Sequence, residues 1–461
     1  MDAPGGTWSR RSVLGGVTSA LALGSGCLDL ELSPARQSSD WPQRGYDAGA
    51  TFYKPDGSPP TQDAEIAWKA PVSNSLYTVI DKKWQTDYER RRYGDLTNAA
   101  NGGSIWEYAR TPLIVVGDHA YLSGGWGTVV DLSDGTIVET DVCPHRTPVG
   151  VAQTGTYTDG TLIGAAPRYP SDNRNDDVSL RGFQPPTDGR AWCDRPQRWT
   201  AGAPRDFGHT AAAGRIEDGT VVTVIPDSEP PYRVVAIDAD DGRIEWENTV
   251  SHGIYRLRVE DGLAYASIAD EEGGTITILD GSSVHQRVEI GPTDHLEAVR
   301  DGVAYFRDRE TEAAAPSITA VSAESGDSRQ LLDGSAVSGR IAGRPTGVGD
   351  IVVGPDRLFA AVDTETGHDP VVLALDRSDG AIEWARQFPG TLRLTGTDDA
   401  LYVAGPREPG PHAYALDPAS GDPLWVATLP DRVDSGIHRP IIADSKVLVP
   451  YGELLVALEE P

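Results

Sequence analysis

Lysine is nearly missing from this chain: Lys54, Lys69, Lys82, Lys83 and Lys446 are the five it carries in 461 residues. With 40 basic against 69 acidic residues the formal net charge is −29, so a polyanion is repelled at every approach and nucleic-acid binding is excluded. The acids are spread along the chain and read as a solvating coat. Cysteine is scarce as well, with Cys27, Cys143 and Cys193 and no adjacent pair. No apolar run is long enough to span a bilayer. Ser12 to Gly26 is fifteen residues, and at about 1.5 Å rise each it cannot cross a hydrocarbon core of roughly 30 Å. Missing too are a Ser-His-Asp order, a phosphate-cradling Gly loop, an HExxH helix and any carboxylate pair set apart by its spacing. Abundance lies elsewhere: 51 Gly and 34 Pro point to many turns, and 39% hydrophobic residues over this length suffice for a large core. That balance is all-β.

One phrase recurs. "VAIDADDGRIEW" (235 to 246), "LALDRSDGAIEW" (373 to 384) and "YALDPASGDPLW" (414 to 425) each read as a strand, a D-x-x-x-G turn and a returning strand. Asp can bond the loop amides, Gly supplies positive φ, and Trp has a large apolar face to bury. The Asp–Gly pair falls at Asp131/Gly135, Asp238/Gly242, Asp376/Gly380 and Asp417/Gly421, with Trp246, Trp384 and Trp425 on the returning strands. Weaker copies put Asp280, Ser322 and Glu459 at the Asp position, and "FQPPTDGRAW" puts Pro185 midway between Asp131 and Asp238. The steps are then 54, 53, 42, 42, 54, 41 and 42 residues, which makes eight units. Upstream strands such as "DGLAYAS" and "DALYVAG" bring each unit to four strands, and Ala236, Ala320, Ala374, Ala415 and Ala457 recur two places before the Asp position. These alanines would let neighbouring sheets approach closely. A single hairpin of this kind is marginal alone, so the units must pack on one another. The period predicts an eight-bladed β-propeller of four-stranded antiparallel blades, with seven blades as the alternative.

The chain ends support closure. The last unit stops at "LLVALEEP", after its third strand, while "AEIAWKAPV" near the start offers a strand with Trp68 and no hairpin of its own. An N-terminal strand completing the last blade would leave no open edge.

At the N-terminus, Arg10 and Arg11 precede the weakly apolar stretch and Cys27 follows it. The paired arginines resemble a twin-arginine signal, which exports folded proteins. Gly24-Ser25-Gly26-Cys27 resembles a lipobox, with Gly24 standing where Leu is usual, and an unlipidated signal peptide remains the alternative. Residues 1–27 are thus expected to be a signal segment, 28–40 a tether and 41–461 a single propeller domain on the outer face of the cytoplasmic membrane, anchored by lipid on Cys27.

The Asp376-Gly380-Trp384 and Asp417-Gly421-Trp425 phrases resemble the repeat of propellers named for pyrroloquinoline quinone (PQQ). "WPQRGYDAGATFYKPDG" (Trp41 to Gly57) looks like the leader of exported PQQ-like repeat proteins of halophilic archaea, and the acidic, lysine-poor composition resembles that of salt-loving archaea. Concentrated salt suppresses the self-repulsion of such a surface. The resemblance implies that the repeated Trp and Gly hold blades together, and it leaves two functions open. One is a non-catalytic, monomeric scaffold, similar to the lipid-anchored propeller of bacterial outer-membrane protein assembly, which binds an unidentified protein partner through face loops without a cofactor. The alternative is a quinoprotein dehydrogenase holding PQQ and calcium in the central funnel and oxidising an alcohol or sugar. Many such enzymes stack the quinone on a disulfide between adjacent cysteines, which this chain cannot form.

Other candidates stand on the residues alone. Cys143 and Cys193, in neighbouring units, fit a disulfide, free thiols or, with His145, part of a metal site. His209, His252, His295 and His438 fall in or near the crossovers between units, as channel-mouth pocket residues or ordinary polar loop residues. Two insertions stand out: Arg168 to Trp199, and Asn74 to Tyr108 with Trp84, Tyr88, Arg90, Arg91, Arg92 and Trp106. Trp, Tyr and Arg are common interface anchors, and the aromatic residues could equally cap the propeller's end.

Overall fold

A strand whose apolar residues are buried on both faces must be sandwiched between other sheets, and the third strands of the repeats are of this kind. Val371–Asp376 is buried at every position but the last, as is Leu454–Glu459. The computed structural model describes residues 41–43, 45–72, 113–122, 127–141, 147–157, 159–165, 180–185, 196–201, 214–225, 232–250, 254–269, 274–291, 294–308, 316–338, 340–341, 343–365, 370–390, 392–405, 410–430, 437–451 and 454–461. By contacts the chain divides into Met1–Ala35, which lies outside these residues, and Arg36–Pro461.

Arg36–Pro461 holds eight four-stranded antiparallel sheets, arranged as an eight-bladed propeller. In chain order blade 1 spans 113–141, blade 2 147–200, blade 3 215–250, blade 4 254–290, blade 5 294–333, blade 6 345–387 and blade 7 393–428. Blade 8 takes three strands from 441–459 and its outer strand, Glu65–Pro71, from the start of the chain. The expected closure is present: Ile66 pairs with Leu458 and Trp68 with Ala457. Within blades 1 to 7 the strands run from inner to outer in sequence order, so the first and third turns lie on one face of the ring. The strand ends that flank the second connections and the blade-to-blade crossovers lie on the other.

The first turns are tight. In Asp261-Gly262 both residues have positive φ, +50° and +78°, the primed turn that suits the right-handed twist of a hairpin and that Asp tolerates better than most side chains. In blades 1, 3, 6 and 7 the third turns are the D-x-x-x-G hairpins. Gly380 N–H donates to Asp376 O (2.8 Å), and the Asp376 carboxylate accepts from Ser378 N (2.7 Å). Asp417 does the same for Ala419 N (2.7 Å), Asp238 for Asp240 N (2.7 Å) and Asp131 for Ser133 N (2.8 Å). In Asp131 and Asp376 the bonds from Ser133 and Ser378 hold the carboxyl below its ordinary value.

The recurrent alanine lies opposite the tryptophan within its own blade (Ala236–Trp246, Ala374–Trp384, Ala415–Trp425) and shares a core cluster with the next blade: Ala236 with Leu257 and Ala264, Ala374 with Leu401 and Val403, Ala415 with Val447 and Leu448. One detail differs from the expectation. In blade 2 the place opposite the small residue belongs to Trp199, paired with Gly182, and not to the "RAW" tryptophan of "FQPPTDGRAW". The long polar connection there moves the outer strand to Gln197–Thr200.

Candidate functional site: a channel closed at one end

The seams between blades repeat one contact. Trp68 Nε1 donates to Leu132 O (2.9 Å), Trp199 Nε1 to Ala239 O (2.8 Å) and Trp384 Nε1 to Pro418 O (2.9 Å). Each acceptor belongs to the residue after the Asp of the following blade, and the indole lies on that turn's glycine. A Cβ on Gly135, Gly242 or Gly421 would sit 2.6 Å from Trp68, Trp199 or Trp384. Where the sequence has no tryptophan the bond persists. Gln286 takes the place in blade 4; with its amide turned to donate to Ala323 O (2.6 Å) it also accepts from Gly326 N (3.0 Å). In blade 5 Arg329 donates to Arg377 O (3.2 Å). Blade 8 has no hairpin, so Trp425 Nε1 finds Pro60 O instead (2.8 Å). Trp246, in blade 3, lies beside Gly281. The repeated residues Asp131, Gly135, Asp238, Gly242, Trp246, Asp376, Gly380, Trp384, Asp417, Gly421, Trp425 and Trp68 therefore all lie at turns and seams.

The inner strands carry a different chemistry. Backbone bulges at Glu297 and at Gly349-Asp350 take these residues out of register, and such bulges re-aim a side chain. The Glu297 carboxylate meets Arg256 of blade 4 (2.8 Å) and Arg307 (2.5 Å), which also donates to Val348 O of blade 6 (2.6 Å). Arg258 donates to Glu297 O (2.8 Å). Burial pushes the Glu297 carboxyl up, but Arg256, Arg307 and Arg258 outweigh it and hold the group well below the usual range. Asp350 meets Arg393 of blade 7 (3.2 Å) and Arg439 at the entry to blade 8 (3.0 Å). To reach blade 6, Arg439 passes the inner edge of blade 7, and it also donates to Ile351 O (3.1 Å). Arginine contacts thus run along the inner strands from blade 4 to blade 8, through the Glu297 and Asp350 carboxylates and, between blades 5 and 6, the Val348 carbonyl.

Beneath them the segment Trp41–Gly57 touches every blade in order, at the ends of the inner strands next to the first turns. Trp41 exchanges two backbone bonds with Val115 of blade 1 (both 3.0 Å), and Pro42 O accepts from Val151 N of blade 2 (2.9 Å). The Gln43 side chain donates to Ile216 O of blade 3 (2.7 Å) and accepts from its N–H (3.0 Å). Ala48 O, Gly49 O and Thr51 O accept from Val259, Val299 and Val353 of blades 4, 5 and 6 (3.1, 2.9 and 3.0 Å). Phe52 O and Lys54 N bracket Gly396 of blade 7, and Gly57 lies against Ile442 of blade 8. Buried Asp47 ties the segment to itself through Thr51 N (2.9 Å) and Thr51 Oγ1. Burial raises its carboxyl, against those bonds and the charges of Arg300 and Arg215.

Of the residues singled out from sequence, His295 is the second residue of the inner strand of blade 5, opposite Arg307. His438 precedes the inner strand of blade 8, its N–H bonded to Pro450 O (3.0 Å). Both lie toward the loop-bearing end, but in blades three apart. Arg10, Arg11, Cys27, Trp84, Tyr88, Arg90, Arg91, Arg92, Trp106, Cys143, Cys193, His209 and His252 lie outside the described residues. The sequence reading missed the closing role of Trp41–Gly57 and the charged channel wall. A signal for the wall was available in "YRLRVE" and "HLEAVR", where charges interrupt strands that are otherwise apolar.

A calcium-bound quinone would need free carboxylate oxygens at the channel. Glu297 and Asp350, the mid-strand carboxylates of the described inner strands, are each clamped by two guanidinium groups, and this donor set does not fit a hard cation. Among the described residues no group of three or more His, Cys, Asp or Glu side chains is placed to hold a metal ion.

A ring of eight four-stranded blades, four of them with a D-x-x-x-G hairpin, sealed by the chain's own N-terminal strand, is a PQQ-like repeat propeller. The chain belongs to the family described as outer membrane protein assembly factor BamB, whose model matches residues 176–331 and 368–460. No curated protein sequence matches the chain. Among solved structures, the chain is similar to the quinohemoprotein alcohol dehydrogenase ADHIIG of Pseudomonas putida HK5, at 11% identity and a TM-score of 0.52, over 92% of this chain and 80% of that one. It is also similar to the quinohemoprotein alcohol dehydrogenase of Comamonas testosteroni, at 11% identity and a TM-score of 0.53, over 93% and 82%. At this identity the likeness is one of fold.

Proposed function

We propose that this chain is a non-catalytic scaffold, exported and tethered by lipid on Cys27 to the outer face of the membrane, which binds a protein partner through its loop-bearing face. The observation that carries the reading is the lining segment: Trp41–Lys54 bonds the inner strands of blades 1 to 7 at their turn-side ends. Above it the charged groups of the wall engage one another. The strand ends at the opposite face are joined by stretches that vary in length from two residues (452–453) to fourteen (166–179) within blades, and the stretch 73–112 is basic and aromatic in sequence. Long connections on a rigid frame are where binding concentrates.

Photo-crosslinking in native membranes tests this. A benzophenone side chain placed at Glu289 or Thr428, on outer strands at the loop-side end, should give a discrete adduct with one membrane protein. The same probe at Ser282 or Ala419, on the turn side, should not. Adducts from both faces alike, or from neither, would refute the reading. So would dye-linked oxidation of an alcohol or sugar on addition of PQQ and calcium. Separately, Cys27→Ala should release the protein from membranes; retention would refute the tether.

A further inference from the structure

We propose that the outer strand of blade 7, Pro423–Thr428, pairs with the same strand of a second copy of this chain, antiparallel about a two-fold axis at Val426. This inference goes beyond the scaffold reading and does not depend on it.

An outer strand ends its sheet with a row of unpaired backbone groups, and such edges are ordinarily protected by charge. Seven of the eight outer strands carry at least one charged residue; Pro423–Thr428, "PLWVAT", carries none. Four large hydrophobic side chains are exposed among the described residues, and two of them, Leu424 at 37% and Val426 at 51%, lie on this strand. Pro423 and Thr428 are exposed as well, while Trp425 and Ala427 are buried in the cluster shared with blade 8. The backbone points the same way. Leu429 N–H donates to Pro411 O (2.8 Å), and in an antiparallel ladder the bonded residues alternate. Ala427 and Trp425 therefore bond inward, and the N–H and C=O of Val426 and Thr428 point out of the sheet.

A second copy fits this edge because the strand is its own complement. An axis at Val426 lets the two Val426 residues exchange both backbone bonds, and it sets Leu424 of each copy opposite Thr428 of the other, so the exposed residues form one row. Asp422, just before the strand, falls opposite Pro430 rather than another carboxylate. On a chain of formal charge −29 this decides the choice of strand, because like charges that face each other across a pair are destabilising. A two-fold axis at the middle of Ile244–Val250, for comparison, would set Glu247 against Glu247. Six residues make a small interface, so the pairing is reversible, and salt that screens the two acidic coats strengthens it.

Sedimentation of the full chain in about 1 M salt, where the Debye length is about 3 Å, tests the proposal. The protein should shift from monomer to dimer as its concentration rises. Val426→Glu, which sets two carboxylates on the axis, should weaken the dimer by about tenfold or more. Mild oxidation supplies a second readout. Residues paired in this way have Cα atoms about 5.5 Å apart, within disulfide reach. Val426→Cys should therefore give about tenfold more disulfide-linked dimer than Leu424→Cys, with the parent chain setting the background from Cys27, Cys143 and Cys193. A protein that stays monomeric, a dimer indifferent to Val426→Glu, or equal crosslinking from the two cysteines would overturn it. Foreign adducts at Glu289, which test the scaffold, are independent of all three outcomes.

Discussion

Replacing Trp68 by Ala removes the indole that closes the ring, and the structure sets what this should cost. The side chain is 8% exposed, its ring lies on Gly135, and its N–H bonds Leu132 O at 2.9 Å. Truncating a buried Trp costs about 3–5 kcal/mol. Trp68→Phe keeps an aromatic ring and loses chiefly the hydrogen bond, about 1 kcal/mol. The sharper test couples the two partners. Gly135 has φ +74°, so Gly135→Ala brings about 1–2 kcal/mol of backbone strain in any background. With Trp68 present it also drives a methyl to 2.6 Å from the indole, adding about 1–3 kcal/mol of overpacking. In the Trp68→Ala background that second cost vanishes. Urea midpoints for the four proteins at fixed salt give the cycle. If Gly135→Ala costs the same with and without Trp68, to within about 0.5 kcal/mol, the account of indole resting on glycine is wrong.

Glu297→Gln should destabilise by about 3–5 kcal/mol, because it leaves Arg256 and Arg307 facing a neutral amide in a buried site. A carboxyl held below its unfolded value contributes stability that is complete above about pH 4.3 and is lost as the pH falls further. The variant should therefore show a shallower loss of urea midpoint with acid, and an unchanged slope would refute the assignment. Gln286→Leu should cost about 1 kcal/mol through the lost bond to Ala323 O, whereas Gln286→Trp should be tolerated because Gly326 already lies below; a cost above about 3 kcal/mol for the tryptophan would count against the shared seam. Stability should rise between about 0.1 M and 1 M salt, as the Debye length falls from about 10 Å to about 3 Å and the surface acids cease to repel. The cost of Asp350→Asn should stay constant over that range, because its partners Arg393 and Arg439 meet it in the channel; a cost that shrinks with salt would place the pair in bulk solvent.

The blades were legible because each writes its own turn. Asp376, Gly380 and Trp384 act within a dozen residues, and the local bonds that fix the hairpin are set by residue type alone. The eighth blade was legible for a different reason, since a strand ending at Glu459 without a partner and a Trp68 strand without a hairpin each need the other. Trp41–Gly57 gave no such sign. Its bonds are made largely by main-chain atoms to eight strands far away in sequence, and a backbone carbonyl looks the same under any side chain. Gln43 and Tyr53 act through their side chains across the ring, Gln43 on Ile216 and Tyr53 OH on Asp398 (2.6 Å), and nothing near them marks these partners. The channel wall lies between these cases. The charged residues of "YRLRVE" and "HLEAVR" are visible, but which arginine meets which carboxylate depends on bulges that shift the inner strands by a residue.

The lysine shortage and the arginines of the seams follow from one physical requirement. A cation that joins blades must satisfy several acceptors at once, as Arg439 does with Asp350 and Ile351 O of blade 6, and Arg377 with Asp301 (2.6 Å) and Pro355 O (2.7 Å). A planar guanidinium carries five N–H groups in fixed directions and is only weakly hydrated, whereas an ammonium is a strongly hydrated point charge on a flexible stem. At an exposed position either serves, but there an acidic coat has little use for cations. Inside the ring the fork decides. Arg256, Arg307 and Arg439 thus carry contacts from one blade to the next along the inner strands, while surface carboxylates such as Asp131 and Asp376 bond the amides of their own turns.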